Sequence, residues 1–148
     1  MCSSKPATAL RFLSLLALIL AAAIPVAAQD LSSADRSAIR DVIRSQVDAF
    51  RRDDGPSAFG LASPAIRGMF GTPDVFMDMV RQGYQPVYRP RTFDFREIVT
   101  RDGAIMQKVH VVGPDGRPVI ANYPMVKQPD GTWRIDGCFL EPPDESQV

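Results

Sequence analysis

A chain of 148 residues with 17 basic and 17 acidic side chains is long enough for one buried core and shows no excess of either charge. That balance excludes the electrostatic footprint of a nucleic-acid binder, and a lone histidine, His110, argues against a His-rich metal site. No catalytic or cofactor motif stands out, so neither a metal nor a cofactor is expected.

The N-terminus reads as an export signal. Lys5 and Arg11 supply its positive region and Phe12 to Ile24 its apolar stretch. Val26 and Ala28 supply the small residues before a cleavage site expected between Ala28 and Gln29. The uncharged run from Phe12 to Ala28 is at the short limit of a membrane span, which favours a signal at 1–28 over an anchor. No stable membrane insertion is then expected after cleavage, and the product is periplasmic or secreted. It is one domain of 120 residues, 29–148, ordered over about 32–140, with 15 basic and 17 acidic side chains. Cys138 is its one cysteine; a small buried strand residue is the simpler reading, a reactive or bridging thiol the alternative.

Ser32 or Ser33 caps a long helix from about Ala34 to Asp53. Ile39, Val42, Ile43, Val47 and Phe50 recur on one face, and Arg44–Asp48 and Asp48–Arg52 are spaced for i,i+4 pairs. Burial of those five apolar side chains outweighs the pairs, at roughly 1.5–3 kcal/mol each before entropy. Three short helices follow, opened by Pro56, by Pro64 after the cap Ser63, and by Pro73 after the cap Thr72. Ile66, Met69 and Phe70 form one apolar stripe; Val75, Phe76, Met79 and Val80 form the next. Both read as core. Two prolines make Tyr84 to Pro90 an extended connector.

Arg101-Asp102-Gly103, Pro114-Asp115-Gly116 and Pro129-Asp130-Gly131 read as three-residue hairpin loops, with glycine supplying the left-handed bulge position. They imply a four-stranded antiparallel meander. Pairing the residues that flank each loop places Phe93 opposite Val111, Phe95 opposite Val109 and Val99 opposite Ile105. In the next hairpins Val109 faces Ala121, Met125 faces Ile135 and Ala121 faces Phe139. Trp133 points the same way. These positions form one apolar face, although hydrophobicity did not choose the register. Pro124 cannot donate to the ladder, so a bulge or unpaired edge is expected there.

The same counting puts Glu97, Gln107, Tyr123 and Gly137 in one row of that face. A buried carboxylate needs a partner or a wet cavity. One reading is a ligand pocket formed by Glu97, Gln107, Tyr123 and Trp133, in which Glu97 is anchor or general base and Tyr123 a hydroxyl donor. The other is a hydrogen-bonded structural row. On the opposite face Asp94 falls across from His110, a pair read as structural. Ile98, Met106, Ile120, Val126, Cys138 and Leu140 form an apolar patch there that suggests a homodimer. Arg89, Arg91 and Arg134 are candidates to select an anion, and are otherwise solvated. Glu141 to Val148 reads as a fraying tail.

The order of long helix, short helices and meander ending in Asp130-Gly131-Thr132-Trp133-Arg134-Ile135 resembles the nuclear transport factor 2-like (cystatin-like) superfamily. Ala49-Phe50-Arg51-Arg52-Asp53-Asp54, Ala62-Ser63-Pro64-Ala65-Ile66 and Pro86-Val87-Tyr88-Arg89-Pro90-Arg91 are similar to a secreted bacterial family, domain of unknown function family 4864. The resemblance implies an α+β fold whose sheet curls around the first helix and encloses a cone-shaped cavity. It assigns no catalytic residue. Three functions compete: a non-enzymatic module binding a small apolar or amphipathic ligand, an acid–base isomerase or hydrolase using Glu97 and Tyr123, and a dimerisation module without a pocket.

Overall fold

The computed structural model describes residues 30–143. The expected export signal at 1–28, the expected cleavage point and residues 144–148 of the expected tail lie outside them.

Helix α1 runs Ser33–Arg51, and the Ser32 hydroxyl accepts the Asp35 amide at 3.0 Å, satisfying a donor the first turn leaves free. Ile39, Ile43, Val47 and Phe50 are buried as their spacing predicts, and Gln46 is buried among them. On its exposed face Arg44 pairs with Asp41 and Arg51 with Asp48, both at i,i+3, in place of the expected Arg44–Asp48 and Asp48–Arg52. Such pairs add little. At the far end Arg89 donates to the Phe50 carbonyl at 2.5 Å and to the Asp53 carboxylate at 2.9 Å, while the Tyr88 hydroxyl also donates to Asp53. This clamp fixes the end of α1.

Helices α2 (Gly55–Gly60), α3 (Pro64–Phe70) and α4 (Pro73–Gly83) begin with proline in the first turn, behind the caps Asp54, Ser63 and Thr72. A further turn, α5 (Gln85–Tyr88), replaces the extended connector expected there. Pro86 lies in its first turn, where no N–H is required, so proline permits the helix rather than forbidding it.

Strands β1 (Thr92–Arg101), β2 (Ala104–Val112), β3 (Pro118–Lys127), β4 (Trp133–Ile135) and β5 (Phe139–Glu141) form the curved antiparallel sheet of an α+β fold. The order is β1-β2-β3-β4, with β5 also paired to β3. The expected last strand is thus two pieces, and Glu141 is a strand residue rather than the start of a loose tail. The middle hairpin keeps the expected register throughout, from Val111 opposite Val119 to Ile105 opposite Met125.

Each outer hairpin departs from it by one residue over part of its length. Asp102 and Gly103 have φ of 50° and 79°, so the first loop is a two-residue turn of the I′ kind, not a three-residue one. Val99 therefore faces Met106 instead of Ile105, and Ile98 instead of Glu97 faces Gln107. A bulge between Phe95 and Ile98 absorbs the extra residue, after which Phe95–Val109 and Phe93–Val111 pair as predicted. In the last hairpin the Pro124 carbonyl accepts the Asp136 amide at 2.8 Å, and proline has no N–H to return. The ladder breaks there. Gly137, at φ 148°, turns the chain, and β5 resumes with Leu140, not Phe139, opposite Ala121.

Both shifts exchange inside for outside. Glu97 and Phe139 turn outward, Phe139 to 55% exposure, whereas Ile98, Cys138 and Leu140 pack on the core. The outer apolar patch shrinks accordingly, and Met106 and Ile120 of that face are buried within the chain. On the inner face Ile39 and Ile43 of α1 pack against Val109, Val111, Ala121, Tyr123 and Ile135. A second cluster joins Phe50, Ala58, Phe76, Met77, Val80 and Tyr88 among the helices. Among the described residues no helix is long and apolar enough to cross a membrane.

Candidate functional site

A cavity of about 390 Å3 opens where the two clusters meet. Helix α1 contributes Gln46 and Phe50, α3 Ile66, Met69 and Phe70, and α4 Phe76, Met79 and Val80. Tyr84, Val87, Tyr123, Ile135 and the broken segment Asp136 to Phe139 complete the wall. Its size and apolar lining fit a small-molecule site.

The break in the last strand builds one side of it. The Ile135 amide donates to the Leu61 carbonyl at 3.0 Å, and the Ser63 amide donates to the Ile135 carbonyl at 2.8 Å. The Ser63 hydroxyl donates to Asp136 at 2.6 Å while accepting the Ile66 amide at 3.2 Å. Helix α3 therefore hangs by its N-terminus from the end of β4. It buries none of its residues; Met69, at 72% exposure, and Phe139 stand at the mouth.

Four neutral polar residues, Gln46, Tyr84, Tyr123 and Cys138, are among those that line this apolar space. Gln46 is buried and donates to the Ala58 carbonyl at 3.1 Å. Tyr123 is 1% exposed, and its hydroxyl has no hydrogen-bond partner among the described residues. The Cys138 thiol is its polar neighbour, a weak donor and acceptor. Burial pushes the Cys138 thiol up to about 12, raises the Tyr123 hydroxyl well above the usual phenol range, and raises Tyr84 as well. All three are uncharged at neutral pH. Asp136 is the single charged residue in the wall, at its exposed side.

Of the four residues expected to form a ligand pocket, Tyr123 alone lines the cavity; Gly137, expected in the same row, and Cys138 line it as well. Glu97 sits on the β1 bulge, its side chain 54% exposed, and meets Lys108 at 3.5 Å. Gln107 is fully buried and donates to the Arg96 and Lys108 carbonyls at 2.8 and 2.7 Å, holding the bulge closed. Trp133 is buried with its indole N–H on Asp35 at 2.9 Å, near the start of α1. The expected row is corrected at one member: Gln107 lies opposite Tyr123 as expected, but Ile98 takes the place of Glu97, which turns to the other face. Asp94 pairs with His110 as expected, and His110 Nδ1 is buried without a partner among the described residues. Arg89, Arg91 and Arg134 donate to the Phe50, Pro114 and Trp133 carbonyls and line no part of the cavity.

Gln46, Tyr84 and the stripes of α3 and α4 were not legible as a site. Gln46 carried a signal: it is a polar residue three positions after Ile43 on an otherwise apolar stripe. The Met and Phe stripes carried none, because a wall and a core share one pattern. Among the described residues no group of three or more His, Cys, Asp or Glu could hold a metal ion.

Residues 32–148 match the model of a family described as Domain of unknown function (DUF4864). No curated protein and no solved structure matches the chain.

Proposed function

We propose that this chain, which belongs to the DUF4864 family of domains of unknown function, is an exported, non-enzymatic module that binds a small apolar or amphipathic molecule. The observation that carries the reading is an apolar cavity of about 390 Å3 lined by Tyr123, whose buried hydroxyl has no polar neighbour beyond the weak Cys138 thiol. A buried hydroxyl so weakly paired costs stability that a bound acceptor would return. The long helix laid over a curved sheet supports kinship with nuclear transport factor 2-like folds, and the N-terminal pattern supports export.

An acid–base enzyme built on Glu97 and Tyr123 has less support. It needs both groups within hydrogen-bond reach of one reacting atom. Glu97 instead lies exposed beside Lys108, outside the cavity. A homodimer through the outer sheet face is also less favoured, since Ile98, Cys138 and Leu140 pack inward.

Native mass spectrometry of protein recovered from the exported fraction tests the proposal. The expected spectrum shows a mature chain starting at Gln29 with a non-covalent small molecule that is lost on unfolding. A chain that carries nothing, and takes up none of a set of ten-carbon probes, would end the binding reading.

A further inference from the structure

Resting on that binding role, we infer that the cavity selects an uncharged ligand whose hydrogen-bond acceptor, such as a carbonyl oxygen, meets the Tyr123 hydroxyl, and that it rejects anionic amphiphiles such as fatty-acid carboxylates.

Charge supports this first. Among the described residues that line the cavity, none is Lys, Arg or His, so a buried carboxylate would meet no cation. Burying an unpaired ion costs far more than burying an amide or a ketone. The arginines once eligible to select an anion are committed elsewhere, to the carbonyls of Phe50, Pro114 and Trp133. The charge that is present, on Asp136, has the sign that repels an anion.

Donor supply points the same way. Tyr123 is 1% exposed, and its buried hydroxyl has no polar neighbour beyond the Cys138 thiol, a weak acceptor. The phenol is the stronger donor of the Tyr123–Cys138 pair, and a raised titration keeps its proton in place. Gln46 has already spent one amide hydrogen on Ala58. The remaining wall is hydrocarbon, from Phe50, Ile66, Phe76 and Val80. Such a site offers a directed donor to one polar atom and burial to everything else.

Calorimetric titration of the purified protein at pH 7 with 2-decanone, decanoate, decylamine and decane tests the selection at equal chain length. The expected order is 2-decanone tightest, at least tenfold tighter than decanoate. In Tyr123→Phe the ketone is expected to weaken by about fivefold, as one neutral hydrogen bond is lost, with decane unchanged. Decanoate or decylamine binding as well as the ketone would overturn the selection while leaving the pocket intact. So would an unaltered ketone affinity in Tyr123→Phe. Failure of all four probes would instead remove the binding role on which the selection rests.

Discussion

Asp35 joins three segments through one carboxylate. It accepts Lys127 Nζ and the Trp133 indole N–H at 2.9 Å each, and the Ser32 hydroxyl at 2.9 Å, from within the first turn of α1. A helix N-terminus favours that negative charge as well. The hydrogen bonds from Lys127, Trp133 and Ser32 hold the Asp35 carboxyl at about 2, below its ordinary 3.8. A depressed carboxyl stabilises the fold above its unfolded value, and that contribution is lost as pH falls through the folded one. Asp35→Asn should therefore melt below the parent at pH 5 to 7, and the gap should close between about pH 4 and pH 2. Thermal melts followed by circular dichroism over that range check it; a gap that stays constant down to pH 2 would contradict the assignment. The partnership was out of reach of sequence patterns. Trp133 lies 98 residues from Asp35, and its inward position says nothing about where its N–H goes.

At the scale of elements, the sheet depends on a bulge that Gln107 closes. Its amide satisfies two carbonyls, Arg96 and Lys108, in a place where Gln107 itself is 0% exposed. Gln107→Leu should leave those carbonyls without a donor, at about 1–3 kcal/mol each. It also removes the buried Gln107 Oε1, which has no partner among the described residues, so the net cost should be roughly 1–3 kcal/mol. Glu97→Gln, which touches an exposed pair with Lys108, should cost under about 1 kcal/mol. Urea unfolding of both variants reads the difference as a shift in midpoint at constant slope. The meander and its middle register were legible because Asp-Gly turns and strand alternation agree on them. The bulge was not, because Asp-Gly serves two-residue and three-residue loops alike. The apolar agreement at Phe93 and Phe95 hid the error, since the bulge restores the counted register by the time the chain reaches Phe95. Pro124 was the better guide: its missing N–H foretold the break that separates β4 from β5 and carries Cys138 to the cavity.

For the molecule as a whole, the apolar sheet face read from sequence is real, but α1 covers most of it through Ile39 and Ile43. Periodicity says which face avoids water and leaves open which element takes it. The cavity therefore forms beside that packing, between the sheet cluster and the helical cluster, and Val80 lies at the boundary, 3% exposed and part of the wall. Enlarging Val80 separates two descriptions of that space. In a tightly packed core Val80→Phe forces strain and costs about 1–3 kcal/mol. Where a true void exists, the ring gains contacts the lining lacks, and filling of this kind adds about 0.5–2 kcal/mol. We expect the second outcome, a melting temperature raised by about 2–8 °C, together with loss of 2-decanone binding in the same variant. A lower melting temperature with binding retained would mean that Val80 borders packed protein, and that the ligand lies elsewhere.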